Sequence, residues 1–132
     1  GEAAIDSLGD RLKAMAYGRF INDSYWLMMP VKLLDPGVHH SRRADTVIDG
    51  ATRNVLSIWF DNVGLTPGDR YWIFVDPTTY DVTGWHYRLQ SGREADYVWS
   101  DVKAIGPLRL PTVKRSPTGS GIRFEAKWDS EE

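Results

Sequence analysis

The feature that most constrains the fold of this chain is a change in hydrophobic period near residue 46. Before Pro30 the apolar residues recur at helical spacing, as in Leu8, Leu12 and Met15. After residue 46 they alternate with polar residues at a period of two, which is typical of half-buried strands. The pattern therefore predicts an N-terminal helix of about three to six turns, ended by Pro30, and a β-sheet after it.

The strand-like segments are separated by short turns rich in glycine, proline and aspartate. Asp49-Gly50, between the first two segments, favours a type I′ hairpin turn. We expect an α+β fold: a curved antiparallel sheet, a half-barrel meander of about six to seven strands, with the N-terminal helix packed on its concave face. Residues 1–132 are predicted to form a single domain. The predicted strands are 46–48, 52–60, 70–75, 82–90, 97–103, 108–115 and 121–128.

The composition excludes several classes of function. The formal net charge of −2 argues against a nucleic-acid partner, which would favour a strongly basic face. The chain has no cysteine, so a disulfide, a zinc-thiolate site and a thiol nucleophile are excluded. No run approaches the roughly 18 to 20 apolar residues of a membrane span, and we predict none. No motif points to a cofactor, and none is expected.

Large aromatic residues occupy both sides of the predicted strands. Six Trp, six Tyr and four Phe are many for a small domain to bury. In the third strand Trp72 and Phe74 alternate with Tyr71 and Ile73, so both faces of this strand are apolar. Trp59 extends the same pattern to the second strand. If the helix covers one face, the second set of rings is left for a ligand, a partner chain or further strands.

The stretch from Ser24 to His40, SYWLMMPVKLLDPGVHH, combines an uncharged aromatic and methionine-rich run with a tandem histidine pair. Two interpretations are open for Tyr25, Trp26 and Met29. In the first, they end a helix that fills the concave face of the sheet. In the second, they line an apolar groove, since methionine adapts to irregular apolar shapes and aromatic rings supply contact area.

The histidines give weak indications of chemistry. His39 and His40, with Asp35 and Asp45 nearby in sequence, are candidate metal ligands. Adjacent residues of an extended segment point to opposite faces, however, so we predict no metal site and regard the pair as a solvated loop. No nucleophile elbow, P-loop, dinucleotide fingerprint or H-E-x-x-H motif is present. We therefore expect no enzymatic activity, with a hydrolase using His39 or His40 as a distant alternative.

Three segments resemble a known family. NDSYWLMMPVKLLDPG, LTPGDRYWIFVDP and GPLRLPT are similar to segments of uncharacterised bacterial exported proteins of the LolA/LolB-like superfamily, the outer-membrane lipoprotein-sorting type of fold. The resemblance extends from Tyr17 to Phe124. It implies a half-barrel with helices in its concavity and a periplasmic or outer-membrane-associated location. Family members are usually longer, which implies that this chain is the C-terminal portion of a larger protein.

These observations lead to one functional hypothesis and one alternative. The hypothesis is a non-enzymatic exported domain that binds a lipid, an acyl chain or another hydrophobic ligand in an apolar concave groove. The alternative is an interaction domain whose aromatic face packs on a second copy of the chain, on a partner protein or on missing N-terminal strands. The predicted ligand-binding residues are Tyr25, Trp26, Met29, Trp59, Trp72, Phe74 and Trp85.

Overall fold

The computed structural model describes residues 9–16, 26–30, 32–61 and 67–125. Within these ranges the chain forms two helical segments and one seven-stranded antiparallel sheet. Residues 9–16 are helical in α1, and residues 26–30 and 32 are helical in α2. The strands are β1 (Val38–Ile48), β2 (Ala51–Phe60), β3 (Arg70–Val75), β4 (Val82–Arg88), β5 (Glu94–Ile105), β6 (Leu108–Arg115) and β7 (Gly121–Arg123).

The sheet is a meander that does not close into a barrel. Its strand order is β1-β2-β3-β4-β5-β6-β7, so each strand pairs with its neighbour in sequence. The predicted antiparallel meander is therefore confirmed. β1 begins at Val38 rather than at the predicted Thr46. Arg42 and Arg43 interrupt the apolar alternation there, and a register shift separates Arg43 from Thr46 in the pairing with β2, which hid the strand from a pattern of period two.

The β1–β2 turn has the predicted conformation. Asp49 and Gly50 have φ angles of 49° and 77°. A type I′ turn needs positive φ at both central residues, and Asp-Gly is a favoured pair for it. The twist of this turn matches that of the flanking strands, so the turn fixes the register of the hairpin.

The strand registers divide the sheet residues between two faces, because side chains alternate across a strand. We call the side of Ile58, Ile73 and Trp85 the core face, since all three are buried there in one hydrophobic cluster. We call the opposite side, which carries Trp72 and His86, the outer face. The core face is therefore the side on which a buried site is to be sought.

The two helical segments differ in how they contact the sheet. Met29 of α2 is fully buried in the core cluster, and Trp26 packs against it. In α1, Leu12 and Met15 are 56% and 70% exposed. The apolar contacts of the described helical residues with the core cluster thus include Met29 and Trp26 of α2, whereas Leu12 and Met15 of α1 are left exposed.

Gly84 on β4 provides a test of the register. A Cβ atom at this position would lie 2.7 Å from the backbone oxygen of Tyr97 on β5. We predict that Gly84→Ala lowers the free energy of unfolding by about 1 to 3 kcal/mol, because two paired central strands would have to separate. Urea denaturation measures this change. Gly9→Ala in α1 is the control, because nothing lies within 4 Å of its added Cβ and no loss of stability is expected. Equal stability of the two variants would contradict the register of β4 with β5.

Candidate ligand-binding site

A pocket of about 420 Å³ lies on the core face. Its volume falls within the roughly 300 to 1,000 Å³ that small-molecule sites occupy. Residues of α2, β3, β4, β5 and β7 line it, together with the loop that joins β4 to β5. Five aromatic residues contribute to its wall: Trp26, Tyr71, Trp85, Tyr87 and Tyr97.

The aromatic rings of the wall contact one another. The Trp26 ring meets the rings of Trp85 and Tyr97 edge to face, with centroid distances of 4.8 and 4.7 Å. Tyr71 lies 4.7 Å from Trp85 on the other side. Edge-to-face contacts at these distances are the favourable arrangement for aromatic pairs. The rings therefore hold each other in position before any ligand arrives, which lowers the entropy lost on binding.

The β4–β5 loop forms the polar rim of the pocket. The backbone N–H of Gly92 donates to the carbonyl of Leu89, and the N–H of Leu89 donates to the carbonyl of Arg93, both at 2.8 Å. Gly92 has a φ of 91°, a value that L side chains rarely adopt. This is a tight hairpin loop closed by a left-handed glycine. It brings Gln90, Ser91 and Arg93 to the pocket.

Asp69 fastens this loop to the start of β3. The carboxylate is buried, with 6% of the residue exposed. Its Oδ1 accepts the backbone N–H of Gln90 at 2.7 Å, and its Oδ2 accepts the Tyr71 hydroxyl at 3.5 Å. The Gln90 side chain in turn accepts the N–H of Gly68 at 3.0 Å. Loop and strand are thus joined by reciprocal hydrogen bonds, which fixes the rim relative to the aromatic wall.

Tyr87 provides a hydroxyl group inside the pocket that stays protonated at neutral pH. Burial raises the pKa of the Tyr87 phenol above its ordinary value, the neighbouring Tyr97 adds to this rise, and the positive charge of Arg93 opposes it. The rings of Tyr87 and Tyr97 stack at 6.1 Å.

Only part of the predicted set lines the pocket. Trp26 and Trp85 do. Met29 is fully buried within the core cluster and does not line the pocket. Tyr25 lies outside the described residues.

Trp59, Trp72 and Phe74 lie on the outer face, so their expected place in one groove with Trp26 and Trp85 is wrong. Trp72 pairs with His86, whereas the adjacent Ile73 pairs with Trp85, and a period of two sends these pairs to opposite sides. The sequence pattern separates Trp72 and Phe74 from Tyr71 and Ile73 within one strand, but it does not show which of these pairs shares a face with Trp85. The alternation of side chains along the strands also places Tyr71, Tyr87 and Tyr97 on the face of Trp85, and the prediction missed these three residues. Alternation gives no indication for Asp69 and Arg93, because both lie next to turns.

The rings of the outer face are covered by polar side chains. His39 stacks on Trp59 at 5.6 Å, and His86 lies 5.3 Å from Trp72. The guanidinium groups that lie over Trp59 and Trp72, each at 5.9 Å from the ring centroid, belong to Arg70 and Arg88. Contacts of a cation with an aromatic ring at such distances are favourable. The outer face is therefore a mixed polar and aromatic surface.

Two histidines of the sheet, His39 and His86, pair with carboxylates on the outer face. His39 Nε2 lies 2.8 Å from Asp61, and His86 Nδ1 lies 2.8 Å from Asp96. Nε2 of the same His86 lies 3.6 Å from Glu94. Neither histidine lines the pocket.

His39 and His40 belong to β1, so the expected loop is wrong, but both side chains are exposed, as expected for a solvated pair. Their predicted orientation to opposite faces is confirmed. His39 pairs with Trp59 and His40 with Ile58, neighbours in β2 that lie on the outer and the core face.

Comparisons with known proteins identify no relative: no family model, curated protein or solved structure matches the chain. The resemblance to the LolA/LolB-like superfamily, the exported location and the non-enzymatic character therefore stay predictions. Among the described residues, no group of three or more His, Asp or Glu side chains is arranged to hold a metal ion. In the same part of the chain, no helix is long and apolar enough to cross a membrane.

Lys114 on β6 is a buried amine outside the pocket lining. The residue is 0% exposed, its Nζ donates to the carbonyl of Pro111, and Nζ lies 3.4 Å from the centroid of the Trp99 ring. No carboxylate of the described residues forms an ion pair with it. Burial lowers the pKa of Lys114 from 10.5 to about 7.

The pKa of Lys114 makes stability depend on pH. Between about 7 and 10.5 the unfolded chain binds this proton and the folded chain releases it, so its burial penalty is complete below pH 7 and disappears as the pH rises. We predict that Lys114→Met stabilises the protein at pH 6 by at least about 1 kcal/mol more than at pH 10, since one pKa unit corresponds to about 1.4 kcal/mol. Urea denaturation at both pH values measures this difference.

Lys103→Met provides the comparison for Lys114→Met, because Lys103 is exposed on β5. Its effect on stability should change little between pH 6 and pH 10. Equal effects of Lys114→Met at the two pH values would show that the ammonium group is not desolvated in the folded protein.

Proposed function

We propose that the chain is a non-enzymatic binding domain that holds a hydrophobic or amphipathic small molecule in the pocket on the core face. The observation that carries this proposal is the wall of five aromatic rings around a volume of about 420 Å³. Burial of apolar surface supplies about 25 cal/mol per Å² before the costs of association are subtracted. Such a wall favours an apolar tail over a fully polar ligand.

The support for a ligand over a simple packed core comes from the polar rim. Gln90, Ser91 and Arg93 of the β4–β5 loop border a cavity, and the buried carboxylate of Asp69 holds this loop in place, whereas a core packed only for stability would leave no such volume between the rings and the loop. Binding sites typically combine an apolar wall with a few fixed polar groups that orient the ligand. The pocket of this protein has both parts.

The proposal extends to the shape of the sheet and the location of the protein. We propose that the open meander curves as a half-barrel, with the pocket and α2 on its concave side. The resemblance to the LolA/LolB-like superfamily supports this shape, and it is also the sole support for an exported, periplasmic or outer-membrane-associated location.

A second candidate function is protein interaction through the outer face. It is favoured by Phe74, which is half-buried there, and by Val98, which is 53% exposed on β5. Arg70 and Arg88 lie over the larger rings of this face and interrupt its apolar surface. The partner would be a second copy of the chain or another protein. Because the apolar surface is interrupted, we rank protein interaction second, after ligand binding.

Fluorescence of N-phenyl-1-naphthylamine, a hydrophobic probe, tests the ligand-binding proposal. We predict saturable binding to the wild type, and a Kd at least about tenfold higher for Leu89→Trp, which places a large ring in the pocket; tenfold corresponds to about 1.4 kcal/mol. Native mass spectrometry and organic extraction of the purified protein should identify a bound lipid or fatty acid.

Trp72→Ala is the matched control, since it removes a half-buried ring from the outer face. Its probe affinity should match that of the wild type, and circular dichroism should show that both variants are folded. If Trp72→Ala weakens the probe as much as Leu89→Trp, the pocket is not the binding site. A dimer that Trp72→Ala dissociates, with no probe binding in any variant, would favour the interaction function.

A further inference from the structure

We propose that the pocket selects an amphiphile with one negatively charged head group, a carboxylate of the fatty-acid class, and that Arg93 binds this head group. The inference rests on the proposed function, because it concerns the ligand of the same pocket. It assigns the aromatic wall to the apolar tail and the β4–β5 loop to the head group.

Arg93 on the β4–β5 loop lines the pocket, whereas three arginines of the sheet are held in ion pairs with aspartates. Arg53, Arg109 and Arg123 form ion pairs with Asp76, Asp81 and Asp101 at 3.1, 3.0 and 3.3 Å. Arg93 is exposed, lines the pocket, and forms no ion pair with the carboxylates of the described ranges. Its planar fork of N–H donors matches a carboxylate, which it can bind through two parallel hydrogen bonds.

The acidic residue of the pocket is already used by the fold. Asp69 is 6% exposed, and its oxygens accept hydrogen bonds from the Gln90 backbone and the Tyr71 hydroxyl. A cationic head group would have to compete with these donors for the carboxylate. The exposed charge that remains for a ligand at this rim is the positive one of Arg93, which favours an anion.

The neighbours of Arg93 on the loop add hydrogen-bond donors. The Ser91 hydroxyl oxygen accepts the backbone N–H of Arg93 at 3.5 Å, and the hydroxyl proton remains for a ligand. The Gln90 side-chain oxygen accepts the N–H of Gly68, so its NH₂ group also remains a donor. A carboxylate only accepts hydrogen bonds and therefore complements this rim. A group with two negative charges fits less well, because Asp69 lies in the same pocket.

The aromatic wall and the hairpin rim leave a defined place for each end of such a ligand. Leu89 and Ile122 join the five rings around the volume for the tail, whereas Gln90, Ser91 and Arg93 belong to the loop at its border. A head group at Arg93 stays near water, so its charge is not fully desolvated. The ion pair between Arg93 and the head group then contributes to the affinity and sets the orientation of the tail.

A series of twelve-carbon ligands that differ only in the head group tests this inference (the chain length is a choice of probe). The experiment measures how well dodecanoate, dodecan-1-ol and dodecyltrimethylammonium each displace N-phenyl-1-naphthylamine. It is carried out on the wild type, on Arg93→Gln and on Arg88→Gln. Arg88 is the control, because it lies on the same hairpin but over Trp72 on the outer face. We expect the wild type and Arg88→Gln to bind dodecanoate at least about tenfold more tightly than dodecan-1-ol, and Arg93→Gln to lose this preference.

The outcomes distinguish a failure of the anionic head-group assignment from a failure of the proposed ligand-binding function. If the probe binds but dodecyltrimethylammonium is the tightest ligand, or if the three ligands bind equally, a hydrophobic site exists and the assignment of an anionic head group is overturned. Dodecyl phosphate, measured in the same displacement assay, tests the charge of the head group. If it binds more tightly than dodecanoate, the assignment of a single negative charge is overturned. If neither the probe nor any ligand binds the folded wild type, the proposed function fails as well.

Discussion

The ring of Trp85 contacts aromatic rings from three other elements, and the order of the core face depends on these contacts. Trp26 of α2 and Trp99 of β5 both lie 4.8 Å from it, and Tyr71 of β3 lies at 4.7 Å. Trp85 itself is 1% exposed. One buried indole thus fixes the position of α2 over the sheet and the inner end of the pocket, because its neighbours cannot move independently of it.

The pocket lies where this aromatic packing meets a hairpin loop that has to stay polar. The backbone groups of a tight loop need partners, and Asp69 supplies one to Gln90 from inside the pocket. Burial of a carboxylate is unfavourable unless hydrogen bonds compensate it. The hydrogen bond from the Gln90 backbone to Asp69 therefore satisfies the carboxylate and also holds the loop in place, with Arg93 at the border of the pocket. One hydrogen bond thus affects both the stability of the loop and the position of the positive charge at the pocket.

Local sequence predicted the sheet well, because alternation and turn chemistry are local properties. The turn at Asp49-Gly50 and the strands Arg70–Val75 and Leu108–Arg115 follow directly from them. The site was less predictable, since a pocket depends on which strands lie side by side and on which face each ring points. Trp72 and Trp85 look equivalent as large aromatic residues, and their opposite sides follow only from the register of β3 with β4. The position of Arg93 at the pocket depends on a loop that is hydrogen-bonded to Asp69, which precedes β3, and no periodic pattern connects Arg93 with Asp69.

The consecutive order of the strands also has a consequence for how the chain reaches its folded state. Every strand pairs with the one next to it in sequence, so the two strands of each hairpin can meet by closing a short loop, which has a small entropic cost. Proteins rich in such local pairings fold faster than those that must first bring distant segments together. The hairpins at Asp49-Gly50 and at Gly106-Pro107 share the shortest connection of the sheet, two residues each, so the steps of assembly with the lowest entropic cost are the closures of the β1–β2 and β5–β6 hairpins.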